Sequence, residues 1–426
     1  RVTNFFADEG ERLGYFKTPE DKKRFADELK WLQINRMFAF NSPVQFNAGI
    51  YNEYGVEGSS GINYWRNPKT GEVVKIEQGC NVKPQCHACF IKGPRDDLES
   101  IAMHAVHEIG IFSSGSGIGQ NIGALRGDQE QLSGGGRASG PMSYFDFYDN
   151  VAGSIKSGGK SRRAARMTEM RGGAKEAHKD IRDFINRKWK EDKKALLLMQ
   201  NGYATGMDGE AYKSVKFQNT NLSVRLDDEF FEILEKNGDI PLRNMVDGKI
   251  VEYMPAKRML QEIAFGSWRI GDPAVQYESK MQEMHTAKNS GRQNSTNPCS
   301  EYSFLDDTSC NLASTNLLAF SDERGNFNVE KFIRANRLIS IAQDIANDAA
   351  SYPVNDIAMI SPEFRTIGLG YANLGALLMR RGLAYDSEEG RNFAAVITAI
   401  MTGTAYEASV EMAEKLEPFT HFEFNK

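Results

Sequence analysis

Strand-like runs alternate with helix-like runs along most of this chain, and that order limits the fold more than any other feature. Successive parallel strands need a crossover between them, and a helix is the usual one. The sequence therefore predicts an α/β architecture. Gln218 to Leu226 reads as a strand, and Asp227 opens a helix directly after it. Thr18-Pro19-Glu20-Asp21 offers a hydroxyl cap, an early proline and first-turn acids, with Phe25, Leu29 and Leu32 following at helical spacing. Asp96, Asp97 and Glu99 open another helix, whose apolar stripe is read as Leu98, Ile101, Ala105, Val106 and Ile109. Further helices are predicted from Pro255 and across residues 328–350, and residues 367–379 form a small-residue-rich apolar stretch. Ser42, placed before Pro43, is expected to be extended. Residues 51–75, rich in Gly, Asn and Tyr, read as a loop or ragged hairpin.

A length of 426 residues allows a large α/β domain with an appendage. We place a short, mainly helical region at 1–40 and the main domain at 41–426. A net charge of −5 argues against a nucleic-acid binder that works by bulk charge. No run approaches the ~18 apolar residues of a membrane span, so no membrane partner is expected. The five cysteines, Cys80, Cys86, Cys89, Cys299 and Cys310, are an odd number in a long chain. That does not read as a secreted disulfide framework, and a cytoplasmic location is expected. The chain starts at Arg1 with no export signal after it, which reads as a partial sequence.

Three glycine-rich segments fall close together: 115–119, 133–136 and 156–163. One reading is turn chemistry and close packing. The other is anion binding, since backbone N–H groups without a Cβ nearby can approach a phosphate. Lys156, Lys160, Arg162 and Arg163 surround the glycine pair of the third segment and favour a nucleotide or other phosphate there. None of the three matches a P-loop or a dinucleotide fingerprint.

The chemistry-bearing segment is Asn297-Pro298-Cys299-Ser300-Glu301. Alternate residues of an extended segment share a face, so Asn297, Cys299 and Glu301 are expected to point together as amide, thiol and carboxylate. The bland alternative is a loop with a buried cysteine and two solvated polar groups.

This segment resembles the finger loop of ribonucleotide reductases, and Cys310, in a Cys-Asn-Leu-Ala-Ser context 11 residues after Cys299, resembles the class II arrangement. Other motifs agree in order. Phe40-Asn41-Ser42-Pro43 is similar to a substrate-side motif, and His87-Ala88-Cys89-Phe90-Ile91 to the first redox cysteine. The 115–121 segment looks like a substrate-pocket glycine turn. The 156–163 loop resembles the loop that relays effector identity. Asp96-Asp97-Leu98 falls where the family starts its effector-binding, dimer-forming helix, and Arg365-Thr366-Ile367-Gly368-Leu369-Gly370 is also similar.

The resemblance implies the first half of a ten-stranded α/β barrel around a central finger loop, and reduction of a ribonucleoside di- or triphosphate by a thiyl radical. In that family pattern Cys299 carries the radical, Glu301 is the general base and Asn297 binds the ribose hydroxyls. Cys89 and Cys310 supply reducing equivalents and end as a labile disulfide. Ser42, Ala88, Cys89, Gly117, Asn297, Pro298, Cys299, Ser300 and Glu301 contact substrate. Asp96, Lys156, Lys160 and Arg162 meet a deoxynucleotide effector. Adenosylcobalamin is the implied cofactor, with a thioredoxin-like or glutaredoxin-like reductant and a homodimer as partners.

Two features depart from the family pattern. Cys86 stands where a non-thiol is common, and Cys86-x-x-Cys89 has zinc-like spacing beside Cys80 and His87. The second half-barrel is also missing, which predicts a fragment or a subunit needing a separate C-terminal-half polypeptide. The rival readings are a class I-like large subunit taking its radical from another subunit, a nucleotide-binding module without catalysis, and a zinc-binding interaction module at 80–89.

Overall fold

The computed structural model describes residues 1–156, 164–206 and 209–426. The chain forms two compact units, one from Arg1–Ala88 with Ser309–Phe424, the other from Cys89–Thr308.

The second unit is the α/β arrangement that the alternation predicts. Its strands Cys89–Ile91, Gly117–Asn121, Arg166–Arg171, Thr220–Leu226 and Ala274–Tyr277 pair each with the next, all in parallel. Helices Leu98–Ser113, Pro141–Ser154, Ile181–Gln200, Asp228–Glu235 and Ala256–Ile270 lie between them in the chain. Asp97 caps the first, its carboxylate accepting from the Ser100 N–H at 2.7 Å, and Asp227 caps the fourth through the Phe230 N–H at 2.8 Å. Phe145, Phe184, Leu222, Val224, Leu226 and Phe230 form the core under the sheet.

The Leu98–Ser113 helix corrects the predicted stripe. Ile101 and Ala105 are buried, but Leu98, Val106 and Ile109 are exposed, together with Met103. The buried face instead continues through His104, Glu108, Ile111 and Phe112. The sequence stripe merged two adjacent faces, because apolar residues occur on both. An antiparallel hairpin, Asp239–Arg243 with Ile250–Pro255, was not predicted. Asp247-Gly248 was the turn signal that could have found it.

In the first unit, strand Thr308–Asn316 pairs antiparallel with Phe38–Phe40 and parallel with Ile367–Ala372. The Pro19–Ile34 helix starts as predicted, with a full capping box between Thr18 and Asp21. The Val329–Ala349 helix packs Phe332, Ile339 and Ile345 into a core with Phe6, Leu29 and Phe40. Arg365, held in the left-handed region at φ 53°, donates to Asp344 at 2.9 Å and to Asp348 at 2.7 Å. The predicted extended Ser42 is a correction: it lies in the first turn of the Ser42–Asn47 helix. A proline is tolerated there because first-turn N–H groups lack helical partners, and Asn41 caps the turn through the Val44 N–H at 3.1 Å. The Glu388–Leu416 helix is long and apolar enough on average to cross a bilayer. It carries Ile397, Met401, Thr404 and Ala408 as buried residues, and its Glu411 pairs with Arg337 of the Val329–Ala349 helix.

Candidate active site

Residues 295–304 of the second unit form a short hairpin, with Ser295 opposite Phe304 and Thr296 opposite Ser303. Its tip is a turn closed by the Ser300 N–H donating to the Asn297 carbonyl at 3.1 Å. Pro298 sits where its fixed φ favours a turn, and Ser300 takes φ 68°. The extended-segment argument therefore fails, and Asn297 and Glu301 meet instead at Cys89, on the neighbouring strand. The Asn297 Oδ1 accepts from the Tyr302 N–H at 2.9 Å, which rigidifies the turn, while its Nδ2 donates to the Cys89 Sγ at 3.0 Å. The Cys89 thiol lies 3.8 Å from the Glu301 carboxylate. Asn297 and Cys89 are buried, whereas Cys299, Ser300 and Glu301 are exposed. Burial pushes the Cys89 thiol well up, the nearby Glu301 carboxylate pushes it further, and the Asn297 hydrogen bond opposes both. Cys89 is thus held as a neutral S–H.

The glycines of strand Gly117–Asn121 explain how the hairpin reaches this position. A Cβ at Gly119 would lie 1.4 Å from the Thr296 carbonyl oxygen, and one at Gly117 would lie 2.5 Å from the Pro298 ring. The predicted glycine turn at 115–121 is mostly strand, with only Gly115 at positive φ. Its glycines serve close approach of the hairpin. The Pro298 carbonyl accepts from Asn221 at 2.8 Å, a contact that no sequence pattern singles out.

Other expected site residues lie elsewhere. Cys310 is in the first unit, buried, its thiol 3.3 Å from its neighbour's carbonyl at Asn311 and close-packed against Gly368. Ser42 and the half-buried Ala88 also belong to that unit. The Asp96 carboxylate accepts from the Arg126 backbone at 3.0 Å and its Nε at 2.9 Å, so it orders the loop at 126 and leaves helix capping to Asp97. Lys156 is exposed, while Lys160 and Arg162 lie outside the described residues. All five cysteines are free thiols.

The zinc-like spacing at 80–89 finds no support in the geometry. Cys86 is sealed in the first unit's core, its thiol 3.6 Å from the Pro84 carbonyl and pushed up by burial. The His87 ring stacks on Tyr352 at 4.7 Å. Among the described residues, no group of three His, Cys, Asp or Glu could hold a metal ion.

Residues 87–426 match the family described as "Ribonucleotide reductase, barrel domain". The chain belongs to that family. Among curated proteins, it is 44% identical to the "Vitamin B12-dependent ribonucleotide reductase" of Rhodopirellula baltica over all of this chain and 41% of that protein. Identity to the protein of the same name from Streptomyces avermitilis is 39%, again over all of this chain and 41% of the relative. The "Vitamin B12-dependent ribonucleoside-diphosphate reductase" of Mycobacterium tuberculosis H37Rv is 30% identical over 78% of this chain and 44% of its own length. The chain thus spans well under half of the relatives it matches. Family membership agrees with the fold class read from the sequence, and the five parallel strands carrying the hairpin are the part of the barrel domain that bears the candidate site.

Proposed function

We propose that this chain carries the ribose-reducing centre of an adenosylcobalamin-dependent ribonucleotide reductase, working with the rest of the polypeptide. The observation that carries this reading is the convergence of Cys89, Asn297 and Glu301 beside the exposed Cys299 turn. The relatives' names add vitamin B12 dependence to it.

In this reading the substrate is a ribonucleoside di- or triphosphate. The Cys299 sulfur, as a thiyl radical, takes the 3′-hydrogen, a reversible transfer because S–H and sugar C–H bonds are similar in strength. Glu301 accepts the 3′-hydroxyl proton as general base. The C2′–O bond then breaks and its oxygen leaves as water. The Cys89 and Cys310 thiols supply the two hydrogens and two electrons and become a disulfide, the pairing the family pattern implies. Keeping Cys89 protonated suits it to deliver hydrogen. The 3′-hydrogen returns from Cys299, and an external dithiol reduces the disulfide.

Adenosylcobalamin supplies the starting radical when bound. The donor set suits it at one point: Cys299 and Ser300, exposed at the apex of the turn, would face it. Homodimerisation is supported by the exposed apolar face of the Leu98–Ser113 helix, with Leu98 73%, Val106 55% and Met103 44% exposed. Deoxynucleotide control near Asp96 and the 156–163 loop, a thioredoxin-like or glutaredoxin-like reductant, the 1–40 and 41–426 division and a cytoplasmic location complete the proposal.

The test uses the full-length reductase with ribonucleotide, dithiol and adenosylcobalamin, and no second radical subunit. Deoxynucleotide should form, and Cys299→Ser should abolish it while ribonucleotide still binds. Turnover by Cys299→Ser would refute the radical assignment. Activity only with an added metal-containing subunit would move the chain to the class I-like reading.

A further inference from the structure

The arm of the hairpin that leads into Cys299 rests on a polar cluster inside the sheet. Glu169, on strand Arg166–Arg171, is fully buried. Its Oε1 accepts from the Thr296 N–H at 2.8 Å, the Thr296 hydroxyl at 2.6 Å and the Gln276 amide at 3.0 Å. Its Oε2 accepts from Arg225 at 3.1 Å. Gln276, on strand Ala274–Tyr277, also reaches the Thr296 hydroxyl at 3.1 Å and the Ser300 hydroxyl at 2.9 Å. Turning the amide over would set its oxygen against the Glu169 carboxylate, so the donor end belongs there. Arg225 extends the grip by donating to the Gln293 carbonyl at 2.8 Å.

The cluster holds the residues on both sides of the turn's tip. Thr296 lies just before Asn297, and Ser300 lies just after Cys299 in a left-handed conformation that a serine adopts at a cost. A buried carboxylate with this many donors is also expensive to keep unless its partners stay fixed. The Cys299 sulfur must come within near-contact distance of one ribose hydrogen, and small misplacements there are costly to rate.

We infer that Glu169 and Gln276 are positioning residues for the Cys299 thiol, acting through Thr296 and Ser300 without touching substrate. This rests on the proposed function, and the site depends on it for kcat and not for nucleotide affinity.

The test measures three things on the full-length protein: kcat, ribonucleotide Kd, and the rate at which iodoacetamide alkylates Cys299, read by peptide mass spectrometry. Gln276→Met keeps size but removes the donor. It should lower kcat about 10- to 100-fold and leave Kd within about threefold. Cys299 alkylation should speed up by at least about threefold as the turn loosens. Thr296→Val should behave alike, and Thr296→Ser, which keeps the hydroxyl, should recover most of the rate. Glu169→Gln should be stronger still. If it fails to fold beside Arg225, the Gln276 and Thr296 variants carry the test. Unchanged kcat and alkylation in Gln276→Met would overturn the inference. So would a parallel loss of kcat and affinity with Cys299 reactivity unchanged. If the wild-type protein forms no deoxynucleotide, the proposed reaction fails, and the alkylation comparison still decides whether this cluster holds Cys299.

Discussion

Two glycine-rich segments look alike in the sequence and do opposite things in the fold. At 115–119, glycine is required by what lies above it: a Cβ on Gly119 would sit 1.4 Å from the Thr296 backbone oxygen. At 133–136, a Cβ on Gly134, Gly135 or Gly136 meets nothing within 4 Å. Gly135 and Gly136 are there for their conformation, at φ 87° and 91°. A glycine run therefore does not say by itself why a Cβ is absent: at 119 the obstacle is another chain segment, at 135 and 136 it is the residue's own backbone, and at 134 there is none.

That contrast can be broken by substitution. Gly119→Ala should have the largest effect, because the obstacle is backbone and cannot rotate away. We expect at least about 4 kcal/mol lost in urea unfolding and at least about 100-fold lower turnover. A stable, active Gly119→Ala protein would mean the hairpin does not lie on this strand. A buried histidine sharpens the point that surroundings decide a residue's behaviour. Burial lowers the His87 pKa to about 4, with Asn347 opposing. The unfolded chain binds that proton first, so stability should fall as pH drops from about 6.5 towards 4. The loss is about 3 kcal/mol, and it should be absent from His87→Phe in urea melts at pH 7 and 4.5. Gly117→Ala, which meets the stiff Pro298 ring at 2.5 Å, should cost about 2 kcal/mol and reduce turnover. Gly136→Ala should cost about 1 kcal/mol from its backbone conformation alone and leave turnover intact. Gly134→Ala, with open space and no left-handed φ, should change stability by less than about 0.5 kcal/mol. Equal effects at 119 and 134 would erase the distinction.

Much of the candidate site was legible because the proposed chemistry needs particular side chains. A thiol, a carboxamide and a carboxylate close together in the sequence remain conspicuous however the backbone turns, so Asn297, Cys299 and Glu301 could be named although the extended geometry assigned to them was wrong. Cys89 was legible only through its flanking motif, since a cysteine in an apolar strand reads as core. Glu169, Arg225 and Gln276 were not legible at all. Each is one polar residue in a separate strand, and nothing in a single strand says which partner waits across the sheet. The sole local hint was a charge inside otherwise strand-like runs, such as Arg166-Met167-Thr168-Glu169.

The sequence alone determined the alternation of strands and helices, the helix starts at Thr18, Asp97 and Asp227, and the gathering of a carboxamide, a thiol and a carboxylate within 297–301. These are set by neighbours within a few residues, through caps, periodicity and side-chain type. The tertiary structure alone decided which face of the Leu98–Ser113 helix is buried, that Ser42 begins a helix, that Cys86 is sealed while Cys299 is open, and that five strands grip the hairpin. Those outcomes depend on contacts between residues tens to hundreds of positions apart, and a linear pattern carries no record of what packs against what.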